Sequence, residues 1–249
     1  MKNQQVTLGT VVGLVVAVGL SQGTSHWVKG WVGNQMERQA LTSNPFPSDS
    51  PMHKPFEQHM GAVIKMPAWE ARFKDVSGEQ ASQIGGNLSR QGMRRLDNAL
   101  LERRMVIMTQ LLNKMDDRAC AQVVKGASVL QSHSEKNDLI NHIAQLDEAA
   151  INDWWQMTAE AVKSELQNTP APKLDSEQVT LGLRTLVQKL PPQEGDRFVT
   201  ILEALDPAKP KVQTFSDREV CWVGRTLYKE AQTLVPAQKQ AIARALVNE

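Results

Sequence analysis

Two cysteines, five histidines and a balanced set of 28 basic and 27 acidic side chains are the material from which this chain could build a chemical site. Cys120 and Cys221 each fall in the first turns of a predicted helix, behind the acidic starts Asp116-Asp117 and Ser216-Asp217. Two helix starts at one end of a bundle can bring Cα atoms within the roughly 4.4–6.8 Å that a disulfide spans. A lone pair of thiols suits a chain exported to an oxidising compartment. The expectation is therefore a Cys120–Cys221 disulfide. The histidines, His26, His53, His59, His133 and His142, include no pair four residues apart on one helix. None has a cysteine or carboxylate at a metal-ligand spacing, so they read as solvated or helix-terminal. G-x-S-x-G, H-E-x-x-H, a glycine-rich phosphate loop and C-x-x-C do not occur. No catalytic, cofactor-binding or metal-ligating residue is assigned, and no cofactor is expected.

Recognition chemistry has more to work with. Arg90, Arg94, Arg95, Arg103 and Arg104 share the longest predicted helix, relieved by Asp97 and Glu102. Such a face could meet an anionic partner, but internal ion pairs on a solvated face explain it as well. A net charge of +1 removes the usual argument for nucleic acid. Trp154 and Trp155 are adjacent, so on a helix they point about 100° apart. One is expected in the core; the other could be exposed to a partner, with Arg94 and Arg95 as further contacts, but fits a rim position against a neighbouring helix better. Met105, Met108 and Met115 could line an adaptable groove or simply fill the core.

The elements that must position these residues begin with an apolar segment. Val6–Leu20 carries no charge over fifteen residues. As a helix it spans about 22 Å, short of the roughly 30 Å hydrocarbon core unless it runs on toward Trp27 and Val28. Trp27 and Trp31 then fall where an interfacial aromatic belt sits. Residues 1–32 are read as a membrane anchor or signal segment, more as an uncleaved anchor, with a cleaved secreted form as the alternative. Gly9 and Gly13 make one small-xxx-small step, which would allow a homodimer through the anchor helix. Residues 33–55 form a polar and Pro-rich tether, with Pro45, Pro47, Pro51 and Pro55 favouring extended chain.

From residue 56 to 249 every segment reads helical. Helix formers dominate, with five Phe and one Tyr in the chain, and capping signals recur at Ser77-x-x-Gln80, Asp116, Asp175-x-x-Gln178 and Ser216-x-x-Glu219. Gly85-Gly86 is expected to break or bend a helix, and Leu88–Met115 to be the longest one. Apolar steps such as Leu101, Met105, Met108, Leu112 and Met115 mark one-sided stripes. The fold class is all-α: a bundle of roughly eight to ten short helices, in two subdomains, 56–169 and 173–249, divided at Pro170-Ala171-Pro172. The order of anchor, tether and helical domain resembles that of membrane-anchored steric chaperones of secreted lipases. Their run R-x-x-F-D-Y does not occur here, so the likeness is one of layout.

These readings converge on a membrane-attached envelope protein with its domain on the extracytoplasmic (periplasmic) side. It would act as a non-enzymatic interaction or assembly factor for another envelope protein. The alternative is an envelope hydrolase or lyase with carboxylates gathered in a helical cleft.

Overall fold

Helix starts are written into the chain by short polar side chains. Asp97, Asp116, Asp147, Asp175 and Ser216 each precede a helix and accept a hydrogen bond from a backbone N–H of its first turn. Those N–H groups would otherwise lack a partner. Ser216 and Glu219 complete a reciprocal capping box. The structure, a computed structural model, describes residues 44, 46–74, 76, 78–126, 133–205 and 214–248. The apolar segment with Val6, Gly9, Gly13, Leu20, Trp27 and Trp31, and the expected cap at Ser77, lie outside the described residues. Among the described residues there is no strand, and no helix is long and apolar enough to cross a membrane.

Eleven helices occur among the described residues: α1 (His53–Val63), α2 (Pro67–Phe73), α3 (Gly78–Met93), α4 (Asn98–Lys114), α5 (Asp117–Lys125), α6 (His133–Ala144), α7 (Glu148–Leu166), α8 (Ser176–Gln188), α9 (Pro192–Ala204), α10 (Asp217–Ala231) and α11 (Pro236–Ala245). They group into two compact units that interleave in sequence. Unit one holds α4, α5 and α8 to α11; unit two holds α1, α2, α3, α6 and α7. One boundary falls between Ala171 and Pro172, within the expected Pro-rich break. The grouping otherwise differs from a simple succession of 56–169 and 173–249, because Asp97–Gln131 packs with the C-terminal helices.

In unit two, α7 is flanked by α1 and α3. The α3–α7 approach is close because Gly92 faces the backbone of Ala161, leaving no room for a side chain. Helix α3 runs unbroken through Gly85 and Gly86. Glycine in a helix costs about 1 kcal/mol relative to alanine without interrupting the hydrogen-bond ladder. The expected Leu88–Met115 helix is instead two, parted by a turn at residues 94–96, with Asp97 capping α4. The apolar periodicity continues across that break, which is why the stripe alone concealed it.

The end of the expected tether belongs to the fold. Phe46 packs edge-on against Phe56 and Trp155, and Met52 is buried. Helix α1 starts at His53 with Pro55 inside its first turn, where proline's missing N–H removes no intrahelical bond. Unit one is held around α10, which packs on α4 and α5, and α11, which packs on α4 and α8. The stripe Leu101, Met105, Met108, Leu112 and Met115 is wholly buried. The methionines of α4 are core, not a groove.

Candidate interaction groove

Helices α8 and α9 are joined by a short turn at Pro191, and each carries an apolar arc wider than one packed face. On α8, Leu183 and Leu186 are buried while Val187 is half-buried; on α9, Phe198, Ile201 and Leu202 are buried while Val199 is 36% exposed. Between them lies an open groove of about 290 Å³, its exposed surface almost entirely apolar. Leu183, Val187, Phe198, Val199 and Leu202 form its walls, and Thr180, Arg184, Gln188 and Glu203 its polar margin. The volume would take one or two large apolar side chains.

A second concavity of about 420 Å³, also in unit one, is mixed in character. Ala99 and Val106 form its apolar part, and Glu102, Arg103, Gln232, Lys239 and Gln240 its polar part. Lys239 Nζ lies 2.6 Å from Glu102 Oε2, so that carboxylate is already paired. Each concavity has one carboxylate on its lining, Glu203 or Glu102.

The partner-binding residues expected from sequence are placed otherwise. Trp154 and Trp155 are 0% and 1% exposed, so both rings are core and neither offers surface to a partner. Neither is left at a surface or a rim, because α7 is covered on two faces, by α1 and α3. Trp155 packs edge-on against Phe56, with centroids 4.9 Å apart. The five arginines do not form one basic face, because the helix breaks between them. Arg95 donates from Nε to Glu165 Oε2 at 2.6 Å and from its guanidinium to the Thr169 carbonyl. Arg94 is half-buried in the same turn. Arg104 is buried, with Nη1 donating to the Tyr228 hydroxyl at 3.3 Å. His53 and His59 are half-buried rather than solvated: His53 Nδ1 lies 2.6 Å from the Phe46 carbonyl, and His59 Nε2 lies 2.9 Å from Asn152 Oδ1.

Electrostatics at the α9–α10 junction are specific. Arg197 bonds the Glu219 carboxylate, which also accepts from the Ser216 N–H and hydroxyl. The Arg197 hydrogen bond, with those from Ser216, holds the Glu219 carboxyl down at about 2. Arg197 also lies over the Phe215 ring, 5.1 Å from its centroid. Burial pushes the Arg244 guanidinium below its ordinary value, opposed by the charge of Asp97. Arg244 Nη2 donates to Asn98 Oδ1 at 2.7 Å, joining α11 to the first turn of α4.

Cys120 on α5 and Cys221 on α10 pair as a disulfide, with Cα atoms 5.3 Å apart. Both sit in unit one, so the bond joins two helices of one unit rather than two subdomains. On either side of it Lys125 reaches Asp217 at 2.7 Å and Arg225 reaches Asp117 at 3.2 Å. Arg225 also donates to the carbonyls of Leu112 and Met115, fastening α10 to the turn between α4 and α5. Searches of protein-family models, curated proteins and solved structures find no match to the chain.

Proposed function

We propose that the chain is a membrane-attached envelope protein whose helical domain is a non-enzymatic interaction or assembly factor. In this reading the α8–α9 groove receives apolar side chains from another envelope protein. The groove itself carries the proposal: its lining is almost wholly apolar, Val199 stands exposed in it, and polar residues border it. A concave apolar patch with a polar margin is the usual form of a site that takes an apolar anchor from a partner helix. Support for the envelope comes from two features of the chain. Val6–Leu20 is an uncharged apolar run, and the two cysteines pair with each other, as suits an oxidising compartment such as the periplasm. Membrane attachment would keep the domain close to a partner embedded in or bound to the same bilayer, raising its effective concentration.

The test is affinity capture of the full-length protein after cross-linking in intact envelopes, beside a Val199→Glu variant. One reproducible protein partner, lost in the variant while the fold is kept, supports the reading. No reproducible partner contradicts it.

A further inference from the structure

We infer that the α5–α10 seam is an oxidation lock: the Cys120–Cys221 bond is what holds α5 in unit one, and the closed seam then shields that bond from exchange. Helix α5 has nine residues, too few to be stable alone in water. Its buried side chains are Cys120, Ala121, Val123 and Val124, with no large core residue among them, so apolar burial alone is a limited anchor. The ion pairs that flank the bond, Lys125–Asp217 and Arg225–Asp117, are partly exposed and contribute little. Beside that burial and the bonds of Arg225 to the turn before it, the disulfide is the one covalent attachment of α5. It joins residues 101 apart, closing a loop that contains the whole 133–171 portion of unit two.

Once formed, the bond is sealed. Both cysteines are wholly buried, and Val124 presses against Gly224 so closely that a Cβ there would lie 2.2 Å from Val124 Cγ2. A reductant has no route to the sulfurs unless the helices part. Closure requires a disulfide-bearing oxidant of the thiol–disulfide exchange class. One cysteine thiolate attacks the oxidant's disulfide and forms a mixed disulfide, releasing one oxidant thiolate. The second cysteine thiolate displaces the other, so the protein gains its S–S bond. The oxidant leaves as a dithiol, carrying the two electrons and, on balance, the two thiol protons. Neither the groove nor membrane attachment enters this inference.

The experiment is hydrogen exchange with mass spectrometry on the full-length protein, oxidised, reduced, and as the Cys120→Ala/Cys221→Ala variant. In parallel, the rate of reduction by a small phosphine is measured in native buffer and in denaturant. Reduction is expected to be on the order of a hundredfold slower in native buffer. In the reduced protein and in the variant, α5 amides lose protection while α7 amides keep theirs. The melting temperature of unit one falls by about 10–20 °C. Equal reduction rates in the two conditions overturn the sealed bond. Unchanged α5 protection without the disulfide, or equal loss of protection in α5 and α7, overturns the lock.

Discussion

Gly92 meets Ala161 backbone to backbone: a Cβ built on Gly92 would lie 1.8 Å from the Ala161 carbonyl oxygen. The contact sets how closely α3 lies on α7, the helix at the centre of unit two. An obstruction by backbone cannot be relieved by turning a side chain. Gly92→Ala is expected to destabilise the protein by at least about 3 kcal/mol, at the upper end of overpacking costs. Urea denaturation measures the loss, and hydrogen exchange should place it in α3 and α7. A change below about 1 kcal/mol would show that the helices can separate without penalty.

Acid should loosen the start of α10. The Glu219 carboxyl is held at about 2 against an ordinary 4.5, so the charged form is favoured in the folded chain. A depressed folded-state pKa gives a contribution that is complete above about pH 4.5 and is lost as pH falls toward 2. Glu219→Gln removes that dependence. Denaturation midpoints of the two proteins should differ at pH 7 and converge as pH approaches 2. A gap that stays constant over this range would mean that Arg197 and Ser216 do not favour the carboxylate.

Removing residues 1–40 should release a soluble, folded helical domain from membranes. The truncation takes away Val6–Leu20 and leaves Phe46, whose ring packs with Phe56 and Trp155. Fractionation and circular dichroism check it. Aggregation, or little helix, would mean that the apolar segment belongs to the folded core. Phe46→Ala in the same truncated chain should cost about 3 kcal/mol or somewhat less, since its ring is only half-buried.

What could be read from the sequence was local. Asp116, Asp175-x-x-Gln178 and Ser216-x-x-Glu219 announce helix starts because a cap acts on N–H groups two or three residues away. The Leu101-to-Met115 stripe announces its own burial for the same reason. Pairings between helices were less accessible. Asp117 stands eight residues before Lys125, and Asp217 eight before Arg225. In the fold each aspartate binds the basic residue of the other helix, with the disulfide between. The matching Asp-Arg starts carry no sign of this in the sequence, because an antiparallel seam relates residues by a rotation in space, not by a repeat along the chain. The two tryptophans misled for a similar reason. Their angular separation is fixed by the helix, but how many faces of that helix are covered depends on α1 and α3. Within the groove, Leu183, Phe198 and Leu202 were legible as stripe residues. Val187 and Val199 signalled the groove only through apolar arcs too wide for one packed face.

The central claim, that the α8–α9 groove receives an apolar anchor from an envelope partner, is tested most directly by a photo-crosslinking side chain at position 199 of the full-length protein. A matched probe at the exposed Gln167 of unit two serves as control. Irradiation of intact envelopes should give one discrete protein adduct from position 199, none from 167, and a loss of the adduct when Leu202 is changed to Glu in a protein that still folds. Adducts of equal yield from both positions, or none from position 199, would contradict it.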